Sequence, residues 1–558
     1  MDNPLLTDVY SEHVRAPTCA AFSPSGNYVA SGDSAGLVRV WATNNESKTL
    51  KKEVGVIGGP LADIAWSEDN QRIVAVGEGS EKFGAVFSWD SGTSIGEIAG
   101  HPKKINAVDF KPSRPFRIVT ASEDNTVALH QGPPFKFQKR LADHSRFVND
   151  IRYSPSGDHF VSVGSDGTGF IYDGKDGEKI GELGSDNKHS GTIYGVSWSP
   201  DGKQLVTCSA DKTCKIWDVE SRSVVNTFTF GDNPTAEQMQ VGVVWAGKHI
   251  VSLALSGDLS YLDVNDPSKP LRVLRGHQSA VTSVAYDAAS KTLVSGSNDG
   301  SLRNWEFGVA GLDGWSVTGH NNTVSGLAVQ GDKIVSVAKD DSLIVSPLAG
   351  GELGNKVALG GPATAGVAAS KDGNRSFTAT PSNLLVVNNG NVTGNLDVGF
   401  RPLSIALSID ETTLAVGGDD NGLYLFNVDG DNLSPKGSLV GHRGHVLACS
   451  FSPDGQYLAA TDGNREVIVW DVAKSARVNS GWVFHSSRVN AVSWSPDSSA
   501  LVTGSLDTNI YVWFMDESKK RVSFLNAHQG GVSDVVFIDN TNFVSTGLDG
   551  LIRSWTLE

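Results

Sequence analysis

The chain has 558 residues, 39% of them hydrophobic, with 62 Gly, 21 Pro and only 3 Met; this suits two or more turn-rich all-β domains and argues against extended helices. A formal charge of −16 disfavours nucleic acid and anionic membrane as bulk partners. No window reaches the roughly 18 apolar residues of a membrane span, the first residues lack the basic start and apolar core of a signal peptide, and four cysteines make no disulfide framework, so a reduced, cytosolic protein is expected.

In chain order, Leu5–Tyr10 reads as one strand closed by Ser11-Glu12-His13. Cys19–Trp41 follows as three alternating runs, with a fourth strand towards Gly58-Gly59. The next unit is Leu61–Asp90, and a third runs from Ile105 through Ile118–Asn125 to Asp143-His144. A fourth starts at Val148, a fifth is His189–Val219, and a sixth, Val241–Gly276, is degenerate, with Asp258 in a turn but no Trp-Asp. After Gly276-His277 a second series begins with Ser283–Trp305. Weaker units start at Val324 and Ala363, and stronger ones occupy Leu403–Asn427, Val446–Asp471, Val489–Trp513 and Val532–Trp555. The period stays near ~40 residues, and thirteen units of three strands each are expected.

The fifth unit shows the pattern best. Ile193–Ser199, Gln204–Ser209 and Thr213–Val219 alternate with period 2 and are separated by Ser199-Pro200-Asp201-Gly202 and Ala210-Asp211-Lys212, as short antiparallel strands require. The spacing Asp211-x5-Trp217 sets a carboxylate in a turn and an indole on the next strand, where a His–Ser–Asp–Trp hydrogen-bonded chain would lock the strands together. It recurs as Asp299/Trp305, Asp507/Trp513 and Asp549/Trp555. The unit resembles a WD-repeat blade, one four-stranded sheet of a β-propeller. Thirteen blades exceed the usual ~4–8 of one ring. Two tandem propellers, 1–276 and 277–558, are therefore expected, the first reduced to a lone strand, Leu5–Tyr10, at its N-terminal blade.

Several stretches are more specific than generic WD-repeat text: Val76-Gly77-Glu78-Gly79, Glu81–Phe87, Lys111–Arg117, Gln131–Phe137, Asp143–Asn149 and the final Ser554-Trp555. On these the chain, from about Asp2 to Glu558, resembles the actin-interacting protein 1 family. The resemblance implies a fourteen-blade clamshell that binds cofilin-decorated actin filaments and promotes their disassembly and capping, a monomer at the actin cytoskeleton, in cortical patches or cables. It also implies about fifty further residues before Asp2, roughly one blade's worth, so that the chain reads as a shortened form.

Acid–base catalysis is a poor reading of the many His, Asp and Ser. His101, His277, His442 and His528 fall at unit starts and the repeated Asp in tight turns, where structural hydrogen bonding explains them. Gly77-Glu78-Gly79 lacks the Gly-Lys-Ser/Thr ending of a phosphate loop, and no His/Cys cluster shows zinc spacing, so no catalytic residue, cofactor or metal is assigned. Loops are the better candidates. Phe135 and Phe137 flank Lys136 after Pro133-Pro134, as a partner anchor or as inter-blade packing, and Phe147 is similarly ambiguous. The resemblance places the surface for cofilin-dependent disassembly on the first propeller, at Glu81, Glu123, Phe137 and Phe147. A generic WD-repeat scaffold for another complex is the alternative. Cys208 and Cys214 should lie on neighbouring strands as buried thiols.

Overall fold

The computed structural model describes residues 13–43, 49–184, 187–230, 234–274, 276–277, 279–306, 316–349, 354–478, 482–516 and 520–557. The strand expected at Leu5–Tyr10 lies outside them. The described residues form thirteen antiparallel sheets, each a meander of strands adjacent in sequence. The chain divides into two compact units, 1–274 and 275–558, with six sheets in the first and seven in the second. This is the expected all-β architecture of two tandem β-propellers.

Twelve sheets have four strands, as expected of the blade, the fourth added to the three that each unit's pattern marks; the thirteenth has three, Val532–Phe537, Asn542–Gly547 and Ile552–Thr556. The fourth strands are outermost and mostly polar. Lys136–Leu141 is exposed at five of its six positions, whereas the second strand of the same sheet, Arg117–Ser122, is buried throughout. On Lys136–Leu141 solvent on both faces erases the alternation, whereas Leu50–Gly55, half-buried at every second position, keeps it.

Each strong repeat is locked internally as its spacing requires. In the fifth sheet His189 Nδ1 pairs with Asp211 at 2.7 Å, and its Nε2 pairs with Thr207 Oγ1 at 2.8 Å. That hydroxyl also accepts the indole N–H of Trp217 at 2.8 Å. The same circuit links His485, Asp507, Thr503 and Trp513, and His528, Asp549, Ser545 and Trp555. In the seventh sheet Ser301 Oγ takes the contact to His277 Nδ1, and Asp299 receives the Ser301 N–H. The third sheet substitutes His130 for the Trp; its Nε2 donates to Ala99 O at 2.8 Å. Burial costs are thereby met by mutual hydrogen bonds. Cys208 and Cys214 face each other across two strands, both fully buried.

Sheet-to-sheet contacts follow a second rule. The last aromatic of a first strand tucks under the preceding sheet: the indoles of Trp66, Trp198 and Trp494 donate to the carbonyls of Ala21, Arg152 and Ser450 at 3.0–3.1 Å. Phe22 holds the same position in the first sheet, before which no sheet stands among the described residues, and it is 70% exposed. In the second unit the thirteenth sheet returns to the seventh, where Asp534 accepts the Val284 N–H at 2.9 Å.

Candidate interaction surface

In a meander, the loop joining second to third strand and the segment leading to the next sheet open at the same end of the sheets. Glu81 lies in such a loop of the second sheet, between Arg72–Gly77 and Gly84–Ser88, and is exposed. Glu123 lies in the corresponding loop of the third sheet, half-buried, with Lys104 Nζ at 3.6 Å. Phe147 stands in the segment entering the fourth sheet, 45% exposed, its carbonyl accepting the Ser165 N–H at 2.8 Å. The topology therefore brings Glu81, Glu123 and Phe147 to one end of three consecutive sheets.

Phe137 is 43% exposed on the outermost strand of the third sheet. It pairs with His130 one position from the turn at the opposite end, and its ring stands edge-on to His130 at 6.1 Å. It belongs to the outer wall. Phe135 is a correction. It is fully buried at φ +61°, edge-on to Phe110 at 5.6 Å and packed in the core between the second and third sheets, so it offers nothing to a partner. The Pro133-Pro134 turn directs it inward while Phe137, two residues on, stays outside.

Sequence reasoning missed a charged cluster along the first strands of these same sheets. Asp63 on Leu61–Trp66 accepts the Val108 N–H of the third sheet at 3.0 Å, and Asp109 accepts the Tyr153 N–H of the fourth at 2.8 Å. Asp150 accepts the Val196 N–H of the fifth at 2.9 Å. Arg152 Nη1 reaches Asp63 at 2.8 Å and Val108 O at 3.0 Å, and its Nη2 reaches Asp150 at 3.1 Å. Burial pushes the Asp109 carboxyl up to about 7 against the pull of Arg152, and pushes Asp150 up likewise. The available signal was an Asp inside each of three apolar first strands, with Arg152 the one Lys or Arg on any of the thirteen.

Repeated blades built on His, hydroxyl, Asp and Trp, with side chains displayed on loops, define a WD-repeat propeller protein. The family model for the WD domain, G-beta repeat, matches residues 4–42, 92–131, 135–173, 181–218, 268–306, 433–471, 479–513 and 519–556. The chain is 44% identical to Actin-interacting protein 1 of Drosophila melanogaster, over 100% of its own length and 91% of that protein. It is 41% identical to the 66 kDa stress protein of Physarum polycephalum and 38% identical to WD repeat-containing protein 1 of Gallus gallus, each over 100% of its length and 92% of theirs. The chain belongs to the actin-interacting protein 1 family of WD-repeat proteins.

Proposed function

We propose that this protein is a non-catalytic factor that binds actin filaments decorated with cofilin and promotes their disassembly, acting as a monomer at the actin cytoskeleton. The observation that carries the reading is the full-length relation to a protein named for its interaction with actin. The exposed Glu81 and Phe147 at one end of the first unit, with Glu123 beside them and Phe137 on the wall, supply a mixed acidic and aromatic surface suited to a protein partner. The two propellers, 1–276 and 277–558, divide the work, the first carrying the filament contact. Binding the strained or severed filament more tightly than the intact one shifts the equilibrium towards fragments by differential affinity alone.

Filament pelleting with and without cofilin tests this. Actin should move to the supernatant only when both proteins are present, and Glu81→Ala together with Phe147→Ala should reduce that release. Release without cofilin, or release by the chain that ignores both substitutions, would contradict the proposal.

A further inference from the structure

Arg152 contacts three consecutive sheets with one side chain. Its guanidinium holds Asp63 of the second sheet, the Val108 carbonyl of the third and Asp150 of its own, and Asp150 in turn holds the fifth sheet through the Val196 N–H. Among the described residues, the corresponding acceptors on other first strands each reach one neighbouring sheet: Ser197 accepts the Trp245 N–H, Ser493 the Phe537 N–H, and Asp534 the Val284 N–H. Ala21, Ala65, Asp109, Ser197 and Ser493 occupy the Arg152 position on other first strands.

The sheets joined this way are the ones that carry the candidate contacts. Glu81 is on the second, Glu123 and Phe137 on the third, and Phe147 immediately precedes the strand that bears Asp150 and Arg152. A surface assembled from loops of separate sheets has a fixed shape only if the sheets keep a fixed spacing, and loops themselves supply little rigidity. Resting on the function proposed above, we infer that Arg152 is a positioning residue, a clamp on the inner strands that registers Glu81, Glu123 and Phe147 into one contact surface without touching the partner.

The cluster gives this role a signature that ordinary structural support lacks. Without the guanidinium, Asp63, Asp109 and Asp150 face one another across the inner strands with no cation between them, and like charges in a half-buried site repel. The other titratable groups around them are the Tyr153 phenol beside Asp109, with Arg117 and Asp173 beyond it, Cys19 of the first sheet near Asp63 and Cys208 of the fifth near Asp150. None replaces the lost cation at the three carboxylates. Burial raises Asp109 and Asp150, so loss of Arg152 should do most harm at alkaline pH, where both are charged, and least at acid pH, where these two take up protons.

The experiment compares the full chain with Arg152→Met, Arg152→Lys and the charge-balanced Arg152→Met/Asp63→Asn in cofilin-dependent actin release at pH 6 and pH 8. Each result is expressed as a ratio to the unsubstituted chain at the same pH. Arg152→Met is expected to lose activity about tenfold at pH 8 and less than threefold at pH 6, within the usual range for a residue that couples distant contacts. Arg152→Met/Asp63→Asn should recover most of the loss at pH 8. Arg152→Lys, which keeps the charge but not the fork, should fall between and carries the test if the Met variant does not fold. A ratio of one at both pH values, or the same loss at both, overturns the inference. Hydrogen exchange is the second readout, independent of actin. Arg152→Lys should raise exchange together in the loops around Glu81, Glu123 and Phe147 and leave residues 275–558 unchanged; no concerted rise would also overturn it. If the unsubstituted chain releases no actin, the functional reading fails while the exchange result still decides whether Arg152 is a clamp.

Discussion

Ala460, fully buried, sits where the fifth, twelfth and thirteenth sheets place Thr207, Thr503 and Ser545. Around it the rest of the circuit is present: His442 meets Asp462 at 3.3 Å and Trp470 is buried. With a methyl group in place of a hydroxyl, His442 Nε2 and the Trp470 indole N–H are both buried without a hydrogen-bond partner. Each such orphan costs about 1–3 kcal/mol, and one hydroxyl satisfies both, as Thr503 does for His485 and Trp513 at 3.0 and 2.9 Å. Against this stands the cost of burying the new hydroxyl, about 1–3 kcal/mol on mutational scales, which its own bonds largely offset. Ala460→Ser should therefore stabilise the second unit by about 1–2 kcal/mol, raising its melting transition by about 2–6 °C. The converse change, Thr503→Ala, creates the same orphan pair and should cost about 1–3 kcal/mol. Calorimetry on the full chain, with the transition of residues 275–558 assigned from the Thr503→Ala shift, measures both. If Thr503→Ala destabilises while Ala460→Ser does nothing or harms, the hydroxyl is not what the eleventh sheet lacks, and the accounting of the circuit is wrong.

Two kinds of carboxylate predict opposite pH slopes. Burial alone would raise Asp124 and Asp507, but hydrogen bonds from their histidines and loop donors hold them down at about 2, below an ordinary value near 3.8. A depressed native pKa adds stability above the unfolded value that is lost as pH falls through the native one, so the melting temperature should drop as pH falls from about 4 to about 2. Asp109 and Asp534 are pushed up to about 7 by burial, so the folded state holds their protons longer and stability should decline as pH rises from about 4 to 7. Asp534→Asn should flatten the second slope in residues 275–558 and stabilise them at pH 8 by about 1–2 kcal/mol, discounted because the carboxylate is only half-buried; a melting series across pH with each variant checks both slopes. Phe135→Ala should destabilise the first unit by about 3–5 kcal/mol in denaturant titration, whereas Phe137→Ala and Phe147→Ala should each cost less than about 1 kcal/mol. Equal costs for all three would mean that the partition of these rings between core and surface is wrong.

The circuits within a repeat were legible because all their members lie close in sequence at a constant spacing. His189, Thr207, Asp211 and Trp217 span one unit, and the x5 spacing recurs. Where the Asp stands two residues earlier, at the end of the second strand, as Asp33 does before Trp41 and Asp462 before Trp470, the spacing rule passed over units whose His–Asp pairs nevertheless form, at 3.1 Å for His13 and 3.3 Å for His442. Outer strands such as Lys136–Leu141 were less legible, because with nearly every position exposed they carry few apolar residues to read. At the candidate surface, exposure was the missing information. Phe135 and Phe137 are two residues apart with the same chemistry, and only the direction of the Pro133-Pro134 turn assigns one to the core and the other to the wall.

The links between repeats were invisible for a related reason. The partners of Asp63 are Val108 in the next unit and Arg152 in the one after, and neither separation belongs to a spacing that the repeat preserves. A propeller built only of self-contained circuits would be a set of stable blades with ill-defined relative positions, since each circuit constrains one sheet and nothing beyond it. Relative position comes from the aromatics that tuck under the preceding sheet and from the single-acceptor links, and in the second to fourth sheets it comes in addition from the Arg152 fork. A binding surface drawn from the loops of several blades inherits its shape from those links. The residues that decide such a surface's geometry are thus expected on the first strands, out of a partner's reach, while the residues that touch the partner tolerate substitution without loss of fold.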